Sequence, residues 1–371
     1  MILKISLEPV GSSFTVKAAL MALALAACTP AQSPAGSLSG QSYNANVEDD
    51  LESPSVIAAK GVKAAEAFPG LASLCDLEMV FQNVNVPRSA TEQRSNGERT
   101  ESEGERRSRG ERETLPPMQV FDNLYFVGNA GVSAWLVGTP EDGFVLFDAL
   151  TSNEAAEQDI IGGMKSLGLD PADIKRFIIS HGHGDHYGGH RYLVQALGLP
   201  VEMSAPDWEL SSRLGIHPRF GPAPEDGLTV EDGEQIILGN TTINLYVTSA
   251  HTPGTISPIM TVFDNGEPHR AILWGGTGLN FGPDPRQLRD YAASASRLRE
   301  LSKEQGVDIF LSNHPARDGS DKSMRDLINR GEGDPHPFVM GEAALAVFDV
   351  LESCAKAQAV RIETGQYVEP E

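Results

Sequence analysis

The stretch from Ser180 to Gly189, Ser-His-Gly-His-Gly-Asp-His-Tyr-Gly-Gly, constrains the fold of this chain more than any other. The segment before it, Ile174 to Ile179, is short, apolar and rich in β-branched residues, which predicts a buried strand. The segment after it, Arg191 to Leu197, predicts a helix. The histidines therefore lie on a loop at the carboxyl end of a strand, where α/β layers commonly place their sites.

The residue types in this loop are those of a metal site. Neutral imidazole is the commonest metal ligand, and carboxylate oxygen also suits zinc. His181 and His183 alternate, which directs two imidazoles to one side of an extended loop, whereas Asp185 and His186 follow at a turn and point elsewhere. One loop can therefore supply two adjacent metal ions. The alternative is a solvated histidine-rich loop, which this spacing between a strand and a helix disfavours.

The order of ligand types in the loop, His-x-His-x-Asp-His, resembles the signature of the metallo-β-lactamase superfamily. Two distant loops extend the resemblance. His251 lies in Thr-Ser-Ala-His-Thr-Pro-Gly-Thr, which is similar to the family's His-Thr-Pro-Gly loop. His314 follows the apolar run that begins at Ile309. Several separated motifs thus occur in the family's order.

The resemblance covers roughly residues 120–361 and implies an α+β fold, the four-layer αββα sandwich of the family. The residues alone support only a mixture of helices and strands. Strand patterns occupy residues 119–148 and 228–274, with one strand expected at 260–263. Helical patterns follow each set of strands. An additional one or two helices, within residues 56–77, are expected to pack on the main domain.

By the resemblance, the ligands divide into two sets of three. Each set leaves an open coordination position, as a catalytic zinc site requires. The first set is His181, His183 and His251, and the second is Asp185, His186 and His314.

Two absences separate this chain from some subfamilies. Glyoxalase-like and lactonase-like members carry an aspartate that bridges the metals, but here that place is Gly275-Gly276-Thr277-Gly278. The cysteine ligand of some β-lactamases is also missing. The remaining set of five histidines and one aspartate resembles the β-lactamase subclass whose second metal is held by a histidine instead. Such a set also favours zinc over manganese or iron.

The resemblance implies a hydrolase with two zinc ions and a hydroxide held by them, which opens β-lactam rings. Asp185 would also orient the nucleophile. Thr277 and Asn280 occupy the loop in which the related subclass contacts the substrate carboxylate, although the position of Thr277 between glycines favours a turn residue slightly more. Two alternatives remain open: a hydrolase of the same fold for another ester, lactone or thioester, and a zinc-binding lipoprotein without turnover.

The other histidines have weaker patterns. His190 lies one helical turn beyond the motif, which allows an outer contact to a ligand. His217, His269 and His336 are expected to be surface or structural residues, because lone histidines have no partner pattern.

The N-terminus predicts export. Lys4 and Lys17 precede an apolar run at residues 18–27, which is too short to span a bilayer and fits a signal peptide. The run ends in Leu-Ala-Ala-Cys, which resembles a bacterial lipoprotein box and implies lipidation of Cys28. Because Thr29 follows, the predicted location is the periplasm, with the lipid in the outer membrane. A soluble periplasmic or secreted protein is the alternative.

These observations predict three parts of the chain. Residues 1–27 form the signal peptide, and residues 118–361 form the hydrolase domain. Between them, residues 28–117 contain a tether, the N-terminal helices and a low-complexity linker in which arginine and glutamate alternate.

Charge and cysteine content bound the partners. The chain has 51 acidic and 29 basic residues, a formal charge of -22, which argues against nucleic acid. The expected partner is a small-molecule substrate, with membrane contact only through Cys28. In an oxidising compartment Cys75 and Cys354 form either a disulfide or two buried thiols, and the sequence leaves both open.

Overall fold

The computed structural model of the chain describes residues 52–87 and 115–369. The predicted signal peptide, Cys28, the start of the tether and most of the low-complexity linker lie outside the described residues. The predicted boundaries of the three parts therefore stay predictions.

The strands of the described residues form two large sheets and a small two-stranded ribbon. In chain order they are β1 Met118–Phe121, β2 Leu124–Phe126, β3 Trp135–Thr139, β4 Gly143–Phe147, β5 Ile174–Ile178, β6 Glu202–Ser204, β7 Ile216–His217, β8 Gly221–Pro222, β9 Leu228–Val230, β10 Glu234–Leu238, β11 Thr241–Thr248, β12 Thr255–Asp264, β13 Glu267–Trp274 and β14 Ile309–Ser312. The first sheet has the order β1-β2-β3-β4-β5-β6-β9, and the second has the order β10-β11-β12-β13-β14.

Capping side chains satisfy the first amide groups of some of the helices. Ser53 accepts from Val56 at the start of α1, and Asp284 accepts from Arg286 at the start of α6. No helix in the described ranges has the length and apolar content to cross a membrane. The α-helices are α1 Pro54–Ala64, α2 153–166 (with a π-helical turn at Ala156–Ile161), α3 Gly184–Tyr187, α4 His190–Leu197, α5 Ala205–Leu214, α6 Pro285–Gln305, α7 Pro315–Asp318, α8 Ser320–Ile328 and α9 Ala346–Glu363, and the 3-10 helices are Pro69–Cys75, Pro171–Asp173 and Gly341–Leu345.

Strand β4 illustrates why the domain has four layers. All five of its residues are buried, as expected of a strand covered on both faces. Val145 and Phe147 face the apolar cluster between the two sheets, whereas Phe144 and Leu146 face the cluster beneath α2 and α4. Side chains alternate along a strand, so one strand serves two cores.

A third apolar cluster covers the outer face of the second sheet. It joins Trp274 of β13 to Tyr291 of α6 and Phe348 of α9. The layers are therefore helices, sheet, sheet and helices. This confirms the predicted αββα sandwich.

The N-terminal helices pack against α9. A disulfide joins Cys75, at the end of a 3-10 helix, to Cys354 of α9, with an S–S distance of 1.98 Å. This resolves the alternative that the sequence left open. The side-chain amide of Gln358 also donates to the carbonyls of Leu74 and Asp76. The segment before the first strand is thereby fixed to the domain.

Parallel pairing brings several strand ends to one edge of the sandwich. Strands β4 and β5 are parallel, as are β13 and β14. The residues that follow these strands therefore meet at the same edge. Asp148 follows β4, and the glycine at 275 follows β13.

Candidate metal centre

The six predicted ligands converge at this edge. The loop after β5 and the short helix α3 supply four of them, the turn before β12 supplies the fifth, and the residue that precedes α7 is the sixth. In chain order they are His181, His183, Asp185, His186, His251 and His314.

Three buried histidines form the first group. His181, His183 and His251 each offer a ligand atom, and these atoms lie within 4.8 Å of one another. The three residues are only 1%, 6% and 6% exposed. Nδ1 of His183 lies 2.9 Å from Nε2 of His251. This is the set that the sequence predicts for the first metal.

Backbone carbonyls fix the tautomers of two of these histidines. Nδ1 of His181 lies 2.7 Å from the carbonyl oxygen of Gly275, and Nδ1 of His251 lies 2.9 Å from that of Gly278. A carbonyl oxygen only accepts, so each Nδ1 carries the proton and each Nε2 keeps its lone pair. The Nε2 lone pairs of both histidines are therefore available to a metal ion.

Gly276 explains why the loop after β13 has no acidic side chain beside the first group. A Cβ atom at this position would lie 2.6 Å from Cβ of His251, which is closer than side chains approach. The ring of His251 therefore occupies the space next to the loop. The loop contributes carbonyl oxygens instead of a carboxylate.

The second group is built around one carboxylate oxygen. Oδ2 of Asp185 lies 3.4 Å from Nε2 of His186 and 3.8 Å from Nε2 of His314. Nδ1 of His186 contacts Oδ2 of Asp148 at 2.8 Å, and Nδ1 of His314 contacts the Gly131 carbonyl at 2.9 Å. In both rings, Nε2 therefore faces Oδ2 of Asp185.

These contacts fit a metal centre. The buried Nε2 atoms of His181 and His186 have no hydrogen-bond partner among the described residues. Leaving a buried polar atom unpaired costs about 1–3 kcal/mol, so a cation bound by these nitrogens would offset that cost. Imidazole nitrogens and carboxylate oxygens are metal ligands, so this donor set fits a metal ion.

The charge states of the two groups differ. Burial holds the pKa of His181 and of His183 well below the usual value, and burial lowers the pKa of His251 to about 4. These three rings are therefore neutral at pH 7. Burial also opposes the charged form of His186, but Asp185 and Asp148 outweigh it and raise its pKa to about 10.

A cavity of about 530 Å³ opens over both groups. The predicted substrate contacts, Thr277 and Asn280, line it. Oδ1 of Asn280 is buried without a hydrogen-bond partner among the described residues. Ile216 of β7 and Phe220, in the turn between β7 and β8, also line it. The ribbon of β7 and β8 therefore borders the cavity.

The remaining histidines lie outside the two groups. His217 lines the cavity, and its Nδ1 accepts from the amides of Arg219 and Phe220, so it shapes the ribbon turn. His269 pairs with Asp308 at 2.5 Å. His190 contacts the carbonyl of Tyr187, and buried His336 contacts that of Val120.

Three polar residues outside the predicted set support the ligands. Asp148 accepts from Ser180 and His186, and it adopts a positive φ of 70° directly after β4. Asp207 accepts from the amides of Gly182 and Gly254, which ties the two ligand loops together. Asn85 lies against His183.

The sequence held a signal for only one of these three. Asp148 ends an apolar strand at the edge where the ligands meet, the position typical of site residues. Asp207 lies inside a helical pattern, and Asn85 lies far from the motif along the chain. Neither has a local signal.

Known families and structures resemble this chain. The metallo-beta-lactamase superfamily profile matches residues 127–260. A HARLDQ motif mutant of a metallo-beta-lactamase from Cronobacter sakazakii has a TM-score of 0.56 and 27% identity, over 68% of this chain and 100% of that chain. A mutant of FEZ-1, the metallo-beta-lactamase from Legionella gormanii, has a TM-score of 0.57 and 22% identity, over 67% of this chain and 97% of that chain.

The profile match contains the His-x-His-x-Asp-His loop and the His251 loop, both of which line the cavity. The matched segment, residues 127–260, is therefore identified as a metallo-β-lactamase superfamily domain. A protein with this domain and site is a metal-dependent hydrolase. A further structural match is BJP-1, a subclass B3 metallo-beta-lactamase of Bradyrhizobium japonicum, with a TM-score of 0.51 and 23% identity over 69% of this chain and 96% of that chain.

Proposed function

We propose that this metallo-β-lactamase superfamily member is a dizinc hydrolase that opens β-lactam rings. The observation that carries the proposal is the orientation of the five imidazoles. Each has one ring nitrogen against a protein partner and the other directed into a ligand group. The relatives named above as metallo-beta-lactamases support the choice of substrate.

The six residues would hold two zinc ions, which when bound supply a water of lowered pKa and a Lewis acid for the carbonyl oxygen. Asp185 is proposed to orient the attacking water. Neighbouring His186 keeps the pKa of Asp185 below its usual value despite burial, so the side chain is a carboxylate at pH 7. A carboxylate accepts a hydrogen bond from the attacking water and orients it.

Thr277 and Asn280 are proposed to bind the substrate carboxylate. Both line the cavity beside the first group. The hydroxyl of Thr277 and the side-chain amide of Asn280 can each donate to a carboxylate oxygen. Binding there would fix the lactam carbonyl over the metal centre.

Hydrolysis of a chromogenic cephalosporin tests this function. The mature protein is assayed as isolated, after treatment with a chelator, and after zinc is restored. We expect turnover that the chelator removes and zinc recovers. Bound zinc without turnover would contradict the β-lactamase assignment. A panel of esters, lactones and thioesters would then identify the substrate class of the same metal centre.

Cys28 is proposed to carry a lipid that holds the protein at the outer membrane on its periplasmic side. The basis is the Leu-Ala-Ala-Cys sequence after the apolar run. Cys28→Ala should move the protein from the membrane fraction to the soluble periplasm, and Cys28→Ser is a second variant that lacks the thiol. Membrane attachment of both variants would contradict the proposal.

A further inference from the structure

The N-terminal strap, residues 81–87, crosses the mouth of the metal centre. Its backbone pairs with the loop after β13: the amide of Val84 donates to the carbonyl of Asn280, and the amide of Gly282 donates to the carbonyl of Gln82. An isolated antiparallel bridge joins Asn83 to Phe281 between them. The strap is therefore held in register beside the cavity.

Asn85 is the residue of the strap that reaches the ligands. It is 9% exposed, although its strap neighbours Gln82 and Val86 face solvent. Its side-chain oxygen lies 2.6 Å from Nε2 of His183, and its side-chain nitrogen lies 3.3 Å from the carbonyl oxygen of His251. One side chain thus contacts two residues of the first group.

These two contacts determine which way the Asn85 amide faces. The carbonyl oxygen of His251 only accepts, so the NH2 group must lie against it. The amide oxygen then faces His183, and it also only accepts. Nε2 of His183 must therefore carry the proton. Its Nδ1 is left with a lone pair.

The lone pair of His183 points at another lone pair. Nε2 of His251, 2.9 Å away, is also unprotonated, because the Nδ1 proton of that ring goes to Gly278. Two unprotonated nitrogens repel at this distance unless a cation lies beside them both. The tautomer set by Asn85 is thus the one that presents Nδ1 of His183, and not Nε2, to a metal.

We infer that Asn85 is a positioning residue of the metal centre, which fixes the ring and tautomer of His183 for zinc. This inference rests on the proposed dizinc site. The other two histidines of the first group receive this support from carbonyls of the loop after β13. His183 receives it from a side chain of the N-terminal strap. Asn85 is therefore the residue through which the strap contributes to the site.

The test compares zinc binding in four versions of the full mature chain. Asn85→Leu keeps the branched shape and the number of heavy atoms but has no acceptor, Asn85→Asp keeps an acceptor oxygen, and Gln82→Ala is a control in the same strap. Zinc affinity is measured by competition with a chromogenic chelator. The tautomer of His183 is read from its ring nitrogen chemical shifts in the metal-free protein.

Loss of an outer partner typically costs about 10–100-fold in metal affinity. We expect a loss of that size for Asn85→Leu, with a changed His183 tautomer, recovery in Asn85→Asp, and no change in Gln82→Ala. Wild-type affinity and tautomer in Asn85→Leu would overturn the inference and leave the metal centre intact. A wild-type chain that binds no zinc would instead overturn the dizinc site and the inference with it. If Asn85→Leu fails to fold, a tautomer in Asn85→Asp that differs from wild type would also contradict the inference.

Discussion

The two halves of the metal centre hold their imidazoles in different ways. In the half made of His181, His183 and His251, the outer partners are neutral carbonyl and amide oxygens. In the half that contains His186 and His314, only His314 has such a partner, the carbonyl of Gly131, whereas His186 contacts the carboxylate of Asp148. A neutral partner fixes a ring without charging it, whereas a carboxylate also stabilises the protonated ring.

Burial adds to this difference. The first half is almost fully buried, whereas the side chains of Asp185 and His314 in the second half are each 30% exposed. The first half is thus prepared for a metal at neutral pH, because its pKa values are low and no proton has to leave. The second half has to release the proton of His186, whose pKa is raised to about 10.

The largest effect is expected from removing a ligand of the first half. His183→Ala deletes a nitrogen that no neighbouring residue replaces. We expect zinc affinity of the first half and catalytic efficiency each to fall by more than about 100-fold, since losing a ligand exceeds the cost of losing its outer partner. Metal content by elemental analysis and cephalosporin hydrolysis measure this.

His269→Ala is the matched control, because His269 is bound to Asp308 and lies outside both ligand groups. It should keep normal metal content. Full activity with normal metal in His183→Ala would refute the assignment of the ligands.

A smaller effect, confined to the other half, is expected from Asp148→Asn. The amide is close to the carboxylate in size but does not hold a positive charge on His186. We expect zinc affinity of the second half to fall by about 10–100-fold, with the first half unchanged. The pKa of His186 in the metal-free protein should also fall, which NMR titration detects. Equal losses of zinc affinity in both halves would contradict the assignment of Asp148 to the second half alone.

The smallest effect is expected outside both halves. Thr277→Val keeps the shape of the side chain and removes its hydroxyl. The loss of one hydrogen bond, worth about 1 kcal/mol, should raise KM for a cephalosporin about fivefold with metal content unaltered. Unchanged KM would make Thr277 only a turn residue, the second interpretation of its sequence.

The ligand loops were predictable because their signal is local. Four of the six ligands lie within one loop and its short helix, so residue type and alternation suffice. Strand β12 was less predictable. The sequence predicts its start near Met260, because Pro258 interrupts the strand pattern, but the strand begins at Thr255. Backbone pairing of Pro258 with Leu245 of β11 continues the strand through it.

The outer partners were not predictable for a different reason. Asn85 and His183 are 98 residues apart, and only the folded chain brings the strap to the site. The disulfide is a similar case, since its cysteines are 279 residues apart. In both pairs the contact depends on how the N-terminal segment packs on α9 and beside the loop after β13, which no local pattern records.

The most direct test of the two unlike halves is a calorimetric titration of the metal-free protein with zinc at pH 7. The titration is repeated in buffers of different ionisation enthalpy, which counts the protons released with each ion. The neutral first half should take one zinc ion without releasing a proton from its histidines, and the second half should release about one proton with its ion. A single zinc ion per chain, or equal proton release with both, would contradict the account.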